Sequence, residues 1–187
     1  MYDDLKKALE TLQNGGIILY PTDTIWGIGC DATNEKAVQK IFRIKKREDS
    51  KSMLVLLENI NLLDRYVEEI PEVAYQLVEL SEKPVTVIYD GAKNLARNLI
   101  APDGSIGIRI TSENFTRELI RRFKKPIVST SANVSGEPSP AYFQEISDEI
   151  KSAVDYVVQY RQDDLSPGAA SSIIKLGRGG EVKIIRK

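Results

Sequence analysis

Short apolar runs alternate along this chain with segments whose apolar residues recur every three or four positions, and that interleaving leaves few folds open. Leu5, Ala8, Leu9 and Leu12 fall on one helical face, which Asp3 or Asp4 is placed to cap and Asn14-Gly15-Gly16 to end. Ile17 to Tyr20 reads as a strand. Asn34 is placed to cap a helix carrying Ala37, Val38, Ile41 and Phe42. Met53 to Leu57 follows as a strand, and a helix starts near Pro71 with Val73, Ala74, Leu77, Val78 and Leu80. Pro84 to Tyr89 is rich in β-branched residues. Ile106, Ile108 and Ile110 alternate with Gly107 and Arg109, the period of a strand. Glu113 to Phe123 is helical, Ile127 to Thr130 a strand, and Tyr142 to Val154 mostly helical. Tyr156 to Val158, Ser172 to Leu176 and Val182 to Ile185 are strands, the last two joined by a turn at Gly179-Gly180. The expected fold class is mixed α/β, a twisted open sheet with flanking helices, in one domain spanning 1–187.

Two strands empty into unusual loops. Tyr20-Pro21-Thr22-Asp23-Thr24-Ile25-Trp26-Gly27 begins where Pro21, lacking an N–H, must stop the first strand. Pro126 to Val128 runs into Ser129-Thr130-Ser131-Ala132-Asn133-Val134-Ser135-Gly136, a segment dense in hydroxyls, with one amide and a glycine. Such residues favour turns. They can equally present hydroxyls and main-chain N–H groups to an anion, and strand ends are where open α/β sheets bind ligands. Two polar strand ends in one domain favour a shared site. A third candidate is Arg43-Ile44-Lys45-Lys46-Arg47-Glu48-Asp49-Ser50-Lys51, whose charge alone reads as a solvated helix end.

Composition removes whole classes of chemistry. The 187 residues contain no histidine and one cysteine, Cys30. Histidine-dependent triads, histidine metal ligation, an internal disulfide and a cysteine zinc site are excluded. A net charge of −1 argues against a protein whose main work is coating nucleic acid. There is no Gly-x4-Gly-Lys-Ser/Thr loop and no Gly-x-Gly-x-x-Gly. The N-terminus lacks a secretory pattern and no apolar run is long enough to span a bilayer, so the expectation is a cytoplasmic protein without membrane contact.

Four segments together resemble the YrdC-like family of threonylcarbamoyl-AMP synthases: Pro21-Thr22-Asp23-Thr24 with Gly27; the Lys-x-Arg of Lys45 and Arg47; Ser105 with Arg109; and Ser131-Ala132-Asn133-x-Ser135-Gly136. They cover nearly the whole chain in the family's order. The resemblance implies a YrdC-like fold and ATP contacts from Lys45, Arg47, Lys51, Ser105, Ser131, Ala132, Asn133, Ser139 and Arg186. Lys45 and Arg47 would be catalytic. L-threonine would meet Thr24, Arg109, Ser129 and Thr130, with no metal ligand from the protein. The chain departs from the family at Glu82-Lys83-Pro84, Thr111, Glu48, Ser52 and Trp26.

The implied reaction joins L-threonine, bicarbonate and ATP to give threonylcarbamoyl-AMP and pyrophosphate, with Mg2+ accompanying ATP. A transferase complex would use the product to modify an adenosine in tRNA. Two rivals stand beside it. One is an RNA-binding module gripping tRNA or double-stranded RNA through the basic cluster. The other is carbamoyl-adenylate chemistry with another carbamoyl donor, as in YrdC-like domains of larger proteins.

Overall fold

Residues 1–46 and 53–187 are described by a computed structural model of the chain. Helix α1 (Tyr2–Gln13) buries Leu5, Ala8 and Leu12. Strand β1 (Ile18–Tyr20) stops at Pro21, and β2 (Gly27–Gly29) returns antiparallel to it, with Ile18 opposite Gly29 and Tyr20 opposite Gly27. Helix α2 (Glu35–Ile44) starts at Asn34, whose side chain accepts the Ala37 N–H. Then come β3 (Leu54–Leu57), α3 (Val73–Glu79), β4 (Val85–Tyr89), β5 (Ile106–Ile110), α4 (Asn114–Phe123) and β6 (Ile127–Ser131). Helix α5 (Asp148–Ala153) precedes β7 (Tyr156–Val157), β8 (Ser172–Leu176) and β9 (Val182–Arg186).

Among the described residues these strands make one nine-stranded sheet in the order β7-β1-β2-β6-β3-β5-β4-β8-β9. The pairs β7–β1, β3–β5 and β4–β8 are parallel and the others antiparallel. This is the mixed sheet with flanking helices that the interleaved pattern predicts. Helix α4 buries Phe115, Leu119, Ile120 and Phe123 and packs on α1 and β3. Each such side chain contributes about 1.5–3 kcal/mol when taken from water.

Several local expectations change. Gly27–Gly29 forms a strand although Gly-Ile-Gly carries no strand pattern; a Cβ on Gly29 would lie 2.6 Å from Tyr20 Cε1, so only glycine lets these backbones approach. Residues 142–154 break into a 3-10 turn (Phe143–Glu145) and α5, because Ser147 accepts the Ile150 N–H and starts a new helix. Neither Asp3 nor Asp4 caps α1. The Asp4 carboxylate is instead buried, accepting hydrogen bonds from the Tyr156 hydroxyl and the Gln159 and Tyr160 N–H groups. The helix expected from Pro71 starts at Val73, and β3 starts one residue after Met53. Cys30 is fully buried beyond the end of β2.

Candidate functional site

The register of β2 on β6 brings the two polar loops together. Gly27, at the start of β2, pairs with Ser131, at the end of β6, so both loops leave the sheet at the same place. They surround a cavity of about 240 Å³ lined by Thr24, Trp26, Arg109, Ser129, Thr130, Ser131, Ser139 and Arg186. A neighbouring cavity of about 520 Å³ shares Thr24, Ile25, Trp26 and Ala170 with it and is otherwise lined mainly by Pro21 to Asp23 and residues 161–169. The larger is in the range of small-molecule sites, and the smaller lies just below it.

The first loop is heavily constrained. The Thr22 hydroxyl donates to the Ile25 carbonyl at 2.7 Å, accepts the Thr24 N–H at 3.1 Å and lies 2.9 Å from the Thr24 hydroxyl. The Thr116 hydroxyl of α4 donates to the Pro21 carbonyl, and Arg161 Nη1 donates to the Thr22 carbonyl. Gly168 packs against the loop; a Cβ there would meet Ile25 Cγ2 at 2.9 Å and clash with the Thr24 carbonyl. Trp26 is buried against Phe143, ring centroids 4.8 Å apart.

The period of β5 sends Ile106, Ile108 and Ile110 to one face and Arg109 to the other. Arg109 does not reach solvent: its side chain is 3 % exposed, its Nε 3.1 Å from Asp23 Oδ1. Beneath the cavity Tyr20 is fully buried, its hydroxyl donating to the Val128 carbonyl; burial pushes its phenol well above the usual range.

Lys45 is buried against the second loop. It is 1 % exposed, and its Nζ donates to the Ser131 and Asn133 carbonyls, both at 2.6 Å, with Asn133 Oδ1 at 3.4 Å. The Lys45 carbonyl accepts the Ser135 N–H, and Asn133 Nδ2 donates to the Glu137 carbonyl. An ammonium has three donors. Two of them meet the loop carbonyls, so Lys45 braces the second loop.

Other candidates are placed as follows. Ala132 is buried, its N–H donating to the Trp26 carbonyl, which ties the two loops directly. Arg186 donates through Nε and Nη2 to the Ser171 carbonyl at the cavity's edge. Ser105 does not line either cavity: its hydroxyl and N–H both donate to Asp103, whose carboxyl these bonds and Lys175 hold down to about 2. Arg47 and Lys51 lie outside the described residues. Asp23, Arg161 and Trp26 were not predicted as site residues. For Asp23 the signal was present, a carboxylate between two threonines at a strand end.

The arrangement suits binding and orienting polar or anionic substrates, with hydroxyls and the side chains of Arg109 and Arg186 around one space. Cys30 offers no nucleophile, since it is buried and desolvation pushes its thiol far up. Among the described residues no three of His, Cys, Asp or Glu are grouped to hold a metal ion, and no helix is long and apolar enough to cross a membrane.

The Sua5/YciO/YrdC family model, described as telomere recombination, matches residues 10–187. The threonylcarbamoyl-AMP synthase of Psychromonas ingrahamii is 33 % identical over 152 residues, 80 % of this chain and 80 % of that protein. The threonylcarbamoyl-AMP synthase of Pseudoalteromonas translucida is 30 % identical over 178 residues, 94 % of each chain. A crystal structure of P. abyssi Sua5 complexed with L-threonine shares the fold, with a TM-score of 0.82 at 23 % identity; the match covers 92 % of this chain and 50 % of that longer one.

Proposed function

The chain belongs to the Sua5/YciO/YrdC family, and on that footing we propose that it makes threonylcarbamoyl-AMP and pyrophosphate from L-threonine, bicarbonate and ATP. The observation that carries this reading is the convergence of Thr24, Arg109, Ser129, Thr130 and Ser131 on one cavity, from two loops and a strand far apart in sequence.

The neutral threonine amine and bicarbonate condense to a carbamate and water. A carbamate oxygen then attacks the α-phosphorus, the bond to the β-phosphate oxygen breaks, and pyrophosphate leaves. No enzyme nucleophile is required, so the chain's work is positioning and stabilising phosphate charge. The Arg109 fork takes the threonine carboxylate, and Thr24, Ser129 and Thr130 supply hydroxyls around it. Ser131, Asn133, Ser139 and Arg186 face the nucleotide. Lys45 acts by holding the Ser131–Asn133 loop in shape, and Arg47 and Lys51 remain phosphate ligands by resemblance. Magnesium arrives on the ATP phosphates as part of the substrate. A tRNA-modifying transferase would consume the product in the cytoplasm.

Pyrophosphate release is expected to need threonine, bicarbonate and ATP together, with threonylcarbamoyl-AMP seen by mass spectrometry. Equal release with threonine omitted would overturn the assignment.

A further inference from the structure

We infer that Asp23 is a positioning residue for threonine recognition: it holds Arg109 by the Nε edge, leaves the Nη edge for the substrate carboxylate, and cancels the charge that would otherwise draw polyphosphate into the amino-acid site. This rests on the function proposed above.

The two side chains are 5 % and 3 % exposed, and Asp23 Oδ1 lies 3.1 Å from Arg109 Nε. Asp23 Oδ2 accepts the Ser112 N–H at 3.2 Å, just past the end of β5. Asp23 therefore fastens the first polar loop to the strand that carries Arg109. The Nε–Oδ1 contact is an ion pair without an aligned hydrogen bond, for neither atom has a hydrogen-bond partner among the described residues. A buried pair of this kind is poorly explained by stability, because it repays its desolvation only when geometry is excellent and remaining donors are satisfied.

The planar guanidinium offers a carboxylate two edges, Nε with one Nη or the two Nη atoms together. Asp23 occupies the first. No described residue hydrogen-bonds either Nη, and Arg109 lines the 240 Å³ cavity while Asp23 lines the neighbouring one. The pair thus stands between the cavities, Arg109 lining the smaller and Asp23 the larger. Its net charge is zero, so it recognises an anion by the shape of the fork. That matters beside a triphosphate site, where a bare buried cation would bind phosphate as readily as carboxylate.

Asp23→Asn keeps the shape and removes the charge. The test is steady-state kinetics with both substrates varied and inorganic pyrophosphate as inhibitor. Losing one charge-assisted contact to the fork is expected to raise the threonine KM by about tenfold or more, with the ATP KM within about threefold. Pyrophosphate, which should not compete with threonine in the parent, becomes competitive with it. Asp23→Glu keeps the charge but pushes the fork forward. Its threonine KM should also rise about tenfold, because misplacement on this scale is costly, yet without the new competition. It carries the test if Asp23→Asn does not fold, judged by thermal melts. A parental threonine KM in a folded Asp23→Asn, or in Asp23→Glu where only that variant folds, would overturn the proposal. A parent that makes no threonylcarbamoyl-AMP would overturn the function itself.

Discussion

At the scale of residues, burial decides which polar groups are tools and which are struts. Lys45 shows this most clearly. Its sequence setting is a charged helix end, yet its ammonium is enclosed by the carbonyls of Ser131 and Asn133. Lys45→Met keeps most of the stem and removes the ammonium. Leaving buried carbonyls unpaired should cost about 2 kcal/mol or more. For a chain of this size that lowers the melting temperature by roughly 4–8 °C. An exposed phosphate ligand would leave stability within about 0.5 kcal/mol. Thermal melts without ATP separate the two roles. Arg109 makes the same point: it stands on the face of β5 opposite the isoleucines, yet its guanidinium is buried against Asp23 instead of reaching solvent. In both cases residue type and spacing were legible, and the direction of the charge was not.

At the scale of elements, β2 is the piece that assembles the site. It lies between β1 and β6 and fixes Gly27 beside Ser131. No periodicity announced it, because one β-branched residue, Ile28, between two glycines is too short a run to show a strand's period. The glycines are needed for closeness: besides Tyr20, a Cβ at Gly29 would lie 3.0 Å from Ile127 Cγ2. Gly29→Val is therefore expected to destabilise the protein by about 1–3 kcal/mol through overpacking, read as a lower urea midpoint. Threonine binding should weaken in the variant even where it remains folded, since the two loops then lose their common register. An unchanged midpoint would mean that β1 and β6 do not need this close approach. By contrast α2 was readable at both levels, an apolar stripe and a cap, and α4 by its apolar stripe. Asn34 accepts the Ala37 N–H as its position suggests, whereas Glu113, expected as the first helical residue, instead caps α4 by accepting the Thr116 N–H.

At the scale of the whole molecule, the N-terminal helix is tied to the first polar loop through a relay. Asp4 near the N-terminus takes hydrogen bonds from Tyr156, Gln159 and Tyr160. The next residue, Arg161, has φ of 65° and donates to the Thr22 carbonyl, with Asp164 gripping the same guanidinium. Asp4→Ala leaves those donors unsatisfied and should cost about 2–3 kcal/mol. The loss should reach the threonine site as a higher KM, with kcat changed less. Equal KM in parent and variant would show that the first polar loop holds its shape without this anchor.

What the sequence determined by itself was local: the alternation of helices and strands, the stop at Pro21, the Asn34 cap, and the residue types gathered in each polar loop. These follow from backbone sterics and side-chain chemistry within a few neighbours, which any stretch of chain carries with it. The tertiary structure decided which loops share a cavity, that Lys45 faces inward, and that Asp23 stands behind Arg109. Those facts depend on strand order and register, set by burial summed over contacts distant in sequence. No window of sequence contains β2, β6 and β5 together, and the site exists only where they meet.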